Sequence, residues 1–371
     1  MSKLNSLTGR IWVLVRHADV RSVLLSDDFV EYDLPAIVAG KRNGDGGDFS
    51  TVGKRLEDWL FFIGGSQHQV LRRALLPIYS PKAVERLRER VTEFVRAAFR
   101  TTEKFDFVAH VAWPLPAVAT AALLDLPIDP TEVTDCSSSV LKVFEPLQRL
   151  AIYQGIEDGF GQLDRLFDAL PEATIALTRL GAMLGAALPN LTPAQQRAIA
   201  VMLFAAGQDT VASALTNMIT VVFGDPGRVG WLRERPSLIA SAVKEVLRFE
   251  PPVQMVARVA RVDSCFEGVR IAAGERLCLA LGAANRDELE FANPNDVDFE
   301  RTTGTNLAFG AGQHYCIGTH LTSMVLQATM AALMDLPAFS LEERQRRPSF
   351  VFRGYSELQI KPSNIPQSIS T

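Results

Sequence analysis

The sequence predicts a mainly α-helical fold with a small antiparallel β part, built around one long central helix, and three observations carry that prediction. Thr192-Pro193 opens a helical pattern that runs to Gly224-Asp225-Pro226, about thirty residues or ~45 Å at 1.5 Å per residue, enough to cross a whole domain. A second, amphipathic pattern follows Ser80-Pro81, with Val84, Leu87, Val91, Phe94, Val95 and Ala98 recurring every three or four residues. Between Val256 and Leu281 the pattern changes to short β-type runs punctuated by Asp263, Gly268 and Gly274, as expected of a small sheet set among helices.

Taken in chain order, the β-branched, apolar segment Ile11 to Val15 reads as a strand, and Ala18 to Leu25 follows it with helical spacing. Residues Gly40 to Gly53 are polar, rich in glycine and without periodicity, so they read as a mobile loop. Ser80-Pro81 starts the amphipathic helix, since proline suits a first helical position. In the long helix Thr192 can cap, Pro193 takes the first position, and Gln195 completes a capping box. No repeat occurs at a fixed period, and residues 1–371 read as one domain.

Composition narrows the function classes. Hydrophobic content of 47% and charged content of 22% describe an ordinary globular chain. A formal net charge of −4, from 38 basic and 42 acidic residues, argues against nucleic acid or an anionic membrane surface as partner. The four cysteines, Cys136, Cys265, Cys278 and Cys316, are widely spaced and form no CxxC pair, which fits reduced thiols in a cytoplasm. The N-terminal segment lacks a basic region followed by an apolar stretch and a small-residue cleavage site, so no signal peptide is expected. The apolar stretch Val111 to Leu124 is short for a bilayer and carries Pro114 and Pro116. A soluble cytoplasmic monomer acting on a small molecule is the expectation.

The most informative segment is Phe309-Gly310-Ala311-Gly312-Gln313-His314-Tyr315-Cys316-Ile317-Gly318, followed by a helix-compatible apolar run. Gly310 and Gly312 permit a tight turn against a flat ligand, and Gly318 lets the backbone pass close beneath it. A cysteine beside such a turn and near a helix start is expected to have a lowered thiol pKa. A free cysteine is more often simply a small buried hydrophobe. His314, Cys316 and His320 could also suggest zinc, although no fourth ligand accompanies them and the glycines stay unexplained.

This segment resembles the heme-binding loop of the cytochromes P450, FGxGxHxCxG, with every fixed position present. The resemblance extends from about Ile11 to Ile360 and implies the fold of that family: the heme (heme b) lies between the long central helix and the helix after the cysteine loop. Cys316 would be the axial ligand, an electron-rich thiolate that favours O–O cleavage, with Phe309, Gly310 and Gly318 as its loop. Glu245 and Arg248, three apart before Pro251-Pro252, match the family's ExxR pair, and Arg301 in DFER resembles its third member. Alone, such a pair is usually a solvated bridge worth little. His68, Arg72, Arg258 and His314 match positions that contact the heme propionates, which need cationic or hydrogen-bonding partners in an apolar pocket.

Ala206-Gly207-Gln208-Asp209-Thr210 interrupts the long helix. Glycine there costs about 1 kcal/mol relative to alanine, and Asp-Thr breaks an apolar face, a local violation that suggests function. The stretch resembles the family's acid–alcohol pair, which implies a widened helix turn and a path for proton delivery through Asp209 and Thr210; a solvent-facing pair bonded to its own backbone is the plainer alternative. Departures from the family pattern are Asn306 in place of a usual histidine, Leu321-Thr322-Ser323-Met324-Val325 after the loop, and a short segment before Ile11 without the usual first helix. His17, His110 and His320 read as structural.

The resemblance further implies a monooxygenase that inserts one atom of O2 into a hydrophobic substrate by hydroxylation or epoxidation, with a natural-product intermediate as the expected kind of substrate. Electrons would come from NAD(P)H through a separate ferredoxin- or flavodoxin-type donor and its reductase, with Arg72, Arg73, Lys82 and Arg86 as a docking patch. Substrate contacts are expected from Ala36 to Gly64, Phe144 to Leu188, Met202 to Thr210, Val253 to Val256 and Phe352 to Tyr355. Coupling or desaturation by the same cofactor, or a non-catalytic heme sensor, are the alternatives.

Overall fold

A computed structural model describes residues 2–6, 9–41, 48–101, 103–145, 150–170, 178–266 and 268–363. From the N-terminus the elements are β1 (Ser2–Ser6), β2 (Gly9–Leu14), α1 (His17–Leu25), β3 (Phe29–Val30), α2 (Leu34–Ala39), α3 (Ser50–Glu57), α4 (Gly65–Leu75), α5 (Pro81–Glu85), α6 (Arg88–Ala98) and β4 (Phe105–Asp106). Then come α7 (Pro114–Leu124), α8 (Pro130–Leu141), α9 (Leu150–Asp168), α10 (Arg179–Ala187), α11 (Pro193–Met218), α12 (Pro226–Arg233) and α13 (Ile239–Phe249). The last part holds β5 (Val256–Ala260), β6 (Ser264–Phe266), β7 (Val269–Ile271), β8 (Arg276–Leu279), α14 (Leu281–Ala284), α15 (Thr319–Asp335), β9 (Phe339–Arg346) and β10 (Tyr355–Pro362). The mainly helical fold with small sheets is as expected.

The central helix α11 forms where the capping signals lie: the Thr192 hydroxyl accepts from Gln195 N–H while the Gln195 side chain accepts from Thr192 N–H, satisfying two otherwise orphaned donors. Its last turns widen into a π-helix, Ile219–Phe223, before Gly224. Pro193–Phe223, not Val111–Leu124, is thus the helix long and apolar enough for a bilayer, yet 78% of its most apolar window is buried in the protein. It is a core helix. Nearly every residue from Ile199 to Phe223 packs inward, into the larger of two hydrophobic clusters. The smaller cluster lies beneath the five-stranded sheet and gathers Trp12, Leu14, Val20, Leu277, Leu279 and Leu307.

That sheet has the order β1-β2-β8-β5-β3. Its β5–β8 pairing is antiparallel, as the alternation between Val256 and Leu281 suggests, whereas β2 and β8 run parallel with Ile11 opposite Arg276. The parallel pair docks the N-terminal strand beside the cysteine-loop half of the chain.

Two local readings change. The helix expected from Pro81 to Ala98 is broken at Arg86-Leu87, where Leu87 N–H bonds Val84 O in a tighter i to i+3 turn and α6 restarts at Arg88. Of the loop expected over 40–53, residues 42–47 lie outside the described residues, while Ser50 to Gly53 are helical because α3 buries Val52 and Leu56 against the core.

Candidate active site

The cysteine loop is shaped by main-chain geometry. Gly310 and Gly312 have φ of +71° and +72°, in the left-handed region that penalises residues carrying a Cβ. At Gly312 a Cβ would also lie 2.3 Å from the Leu24 carbonyl oxygen, so the turn is pressed onto the end of α1. Cys316 N–H donates to Phe309 O at 2.9 Å and closes the loop, and the Thr319 hydroxyl bonds Cys316 O at 2.8 Å where α15 begins. Burial pushes the Cys316 thiol pKa up, opposed by the Gly318 N–H, the Thr319 hydroxyl and the Arg72 charge. The lowered value expected from sequence is therefore corrected: in the protein alone, desolvation outweighs the helix start and the cation.

The residues expected to hold propionates converge on this loop. Arg72 on α4 donates to Tyr315 O, beside the cysteine. His68, one turn earlier and buried, lies against His314 with ring centroids 4.3 Å apart. Burial, then His314 and Arg72, draw the His68 pKa down to about 4, so its ring is neutral. Arg258 on β5 is linked to His314 through a shared carboxylate, Glu31.

Sequence reasoning missed Glu31, which follows β3. Its carboxylate accepts from His314 Nε2 at 2.9 Å and lies 3.6 Å from Arg258 Nε. Burial pushes Glu31 up, but the hydrogen bond from His314 and the charges of His314 and Arg258 together leave it lowered. It was also silent on Tyr79: burial first, then the nearby Cys316 sulfur, raises that phenol. Neither residue carries a local pattern, since each acquires its role from partners far along the chain.

Glu245 and Arg248 on α13 form a buried pair. Arg248 Nε and Nη2 each donate to the Glu245 carboxylate at 2.7 Å, and Arg301 Nε reaches both of its oxygens at 3.2 Å. Arg248 also donates to the carbonyls of Asn285, Pro294 and Asp296. The surface-bridge alternative fails because both side chains are nearly inaccessible. Asn306, the departure from the family's histidine, donates to Lys244 O and accepts from Asn285 Nδ2 and Ala308 N–H. It thereby ties the entrance of the cysteine loop to α13.

Asp209 and Thr210 diverge. Asp209 is buried and accepts from Arg347 Nη2 at 2.8 Å. Burial raises its pKa, a shift only partly offset by Arg347, then Ser138 and Lys142. The Thr210 hydroxyl donates to Ala206 O at 2.9 Å, the backbone-bonded alternative weighed for it. No widened turn occurs at 206–210: α11 is α-helical there and its wide turn lies at Ile219–Phe223.

The apolar stretches expected at the substrate converge in part. Leu60 N–H points at the Met202 sulfur at 3.0 Å, Phe62 stacks on Phe144 at 6.1 Å, and Val253 bridges Phe352. Residues 146–149 and 171–177 of the expected region lie outside the described residues. The zinc reading finds no support: among the described residues no three His, Cys, Asp or Glu side chains group as metal ligands. His17 packs on Phe291 and bonds Thr305 O, and His110 bonds Asp106 O, both structural as expected.

A heme suits this donor set. Beside the cysteine at its glycine turn, Arg72 bonds Tyr315 O, His68 packs on His314, and His314 and Arg258 share Glu31; the buried His68 ring has two nitrogens without a hydrogen-bond partner, which is costly unless a polar ligand group meets them. The comparisons agree. The family profile described as cytochrome P450 matches residues 232–365, which contain α13 through the cysteine loop. A crystal structure of P450BioI in complex with an acyl carrier protein bearing hexadec-9Z-enoic acid superposes with a TM-score of 0.88 at 25% identity, covering 98% of this chain and 94% of that one.

The chain belongs to the cytochrome P450 family.

Among its relatives are the biotin biosynthesis cytochrome P450 of Bacillus subtilis, 29% identical over 81% of this chain and 79% of that protein, and the mycinamicin IV hydroxylase/epoxidase of Micromonospora griseorubida, 28% identical over 94% of this chain and 89% of that protein. As a cytochrome P450 it is a heme-dependent monooxygenase.

Proposed function

We propose that this cytochrome P450 hydroxylates or epoxidises a hydrophobic small molecule in the cytoplasm as a monomer, with electrons passed from NAD(P)H by a separate ferredoxin- or flavodoxin-type protein and its reductase. The observation that supports this reading most is the convergence of His68, Arg72, Arg258 and His314 beside Cys316. When bound there, the heme supplies oxygen activation and oxidation of the substrate. Cys316 would ligate the iron, Phe309, Gly310 and Gly318 would shape the loop around it, and the four convergent side chains would hold the propionates. Glu245, Arg248 and Arg301 hold the frame behind the loop. The Thr210 hydroxyl would deliver a proton from Oγ1, with Asp209 as the buried acid that resupplies it.

Leu60, Phe62, Phe144 and Met202 favour an apolar or aromatic substrate. The mycinamicin IV hydroxylase/epoxidase suggests a mycinamicin-like molecule. The carrier-protein complex of P450BioI supports a second reading, an acyl chain presented on a carrier protein. Arg73 on α4, Lys82 on α5 and Arg86 just after it are exposed and suit an acidic electron donor.

A library of free macrolides, steroids and fatty acids, with acyl carrier conjugates as a separate arm, should be screened by heme spectral shift. Binders should then be oxidised with surrogate redox partners and isotopically labelled dioxygen. Product carrying one labelled oxygen is expected. Binders that are never turned over would make the chain a heme-binding sensor, and unlabelled coupled or desaturated products would move it to those chemistries.

A further inference from the structure

Arg347, which holds the acid of the central helix, lies in a segment that is itself held from another part of the molecule. The strap from Arg347 to Arg353 joins β9 to β10. Its guanidinium donates to Asp209 at 2.8 Å, reaches the Ser213 hydroxyl at 3.4 Å, and lies 5.3 Å from the Trp113 ring. Two residues on, the Ser349 hydroxyl donates to Glu145 Oε1, and Phe350 N–H donates to Glu145 Oε2 at 3.1 Å. Ser349 N–H donates to Arg347 O at 3.0 Å and its hydroxyl oxygen accepts from Phe352 N–H at 2.7 Å, which stiffens the strap. Glu145 belongs to the segment after α8, three residues beyond Lys142, whose charge also acts on Asp209. Asp209, Arg347, Ser349, Glu145 and Lys142 therefore close a ring made of one buried acid, one strap and one segment.

We infer that Arg347 is a positioning residue for Asp209 and that Glu145, by anchoring the strap, sets where Arg347 stands, so that the segment after α8 is mechanically and electrostatically wired to the acid of the central helix. The inference rests on the proton role proposed above for Asp209. A guanidinium 2.8 Å from a buried carboxylate fixes its rotamer and opposes the upward push of burial on its pKa, because charges attract more strongly where water is excluded. Lifting the segment would pull on Ser349 and Phe350, and through two residues of stiffened chain would shift the guanidinium. Aromatic residues of the same region, Phe61 and Phe144, pack at 5.9 Å, so an apolar ligand entering between them would act on the anchored segment. The connection is physical: from Glu145 to Asp209 every link is a hydrogen bond or a short stretch of chain, and Lys142 adds its charge.

The test uses heme-loaded protein and the variants E145A, R347M, R347K and D209N. Trp113 emission, isolated by difference against W113F, reports the guanidinium directly. Peroxide released per NADPH consumed, with surrogate redox partners and any binder from the screen, reports proton delivery. E145A should shift Trp113 emission in the direction of R347M, raise peroxide release by roughly twofold or more, and add nothing in the E145A/R347M double variant. R347K should fall between wild type and R347M. If E145A leaves both readouts at wild type while R347M changes them, the strap linkage is wrong. If D209N leaves peroxide release unchanged, the proton role of Asp209 is wrong, and the Trp113 result still decides the linkage separately.

Discussion

Glu245 satisfies two arginines at once, and its side chain is almost wholly withdrawn from water. Removing one member of such a group leaves buried charge without compensation, which costs about 3–5 kcal/mol where a partnered pair would have been near neutral. E245A should therefore lower stability in urea by about that amount and reduce heme bound per chain; a loss below about 1 kcal/mol would show that the pair behaves as an exposed bridge. Thr210 is the contrasting residue. Among the described residues its hydroxyl bonds only its own helix, so T210A should barely change stability yet increase peroxide release per NADPH; unchanged coupling would remove Thr210 from the proton path. The ExxR residues were legible in the sequence because they share one helix face. Glu31 and Arg347 were not: Arg347 meets Asp209 across 138 residues, and nothing local to either residue announces the meeting.

At the scale of elements, the cysteine loop depends on two glycines for different reasons. Both take positive φ, but a Cβ at Gly310 meets no atom within 4 Å whereas one at Gly312 strikes the Leu24 carbonyl. G310A should cost about 1–2 kcal/mol, the penalty for the left-handed region, and G312A should cost more because α1 or the loop must move. Equal losses in denaturant unfolding would contradict the contact with α1. The glycine spacing was readable in the sequence; the reason for Gly312 needed the fold, since α1 lies almost the whole chain away. The central helix was legible down to its cap, because capping is a local signal. The break at Arg86-Leu87 was not, because the apolar spacing continues through it and only the tight turn interrupts it.

Over the whole molecule, chain ends and middle are joined by β2 lying parallel to β8 and by the strap between β9 and β10. Such pairings answer to partners distant in sequence, so the small sheet could be expected but not its order. The same distance effect assembles the site: α4 contributes His68 and Arg72, the residue after β3 contributes Glu31, β5 contributes Arg258, and the loop before α15 contributes His314 and Cys316. What the sequence offered was a set of residue types in a family's order; the fold brings them to one place. A heme would be held at this place through the Cys316 thiolate, and the ferrous carbon-monoxide spectrum of the purified protein is the measurement that decides it. A strongly red-shifted main band, lost in C316A, is the predicted result, and a band typical of histidine ligation, or protein that takes up no heme, would contradict it.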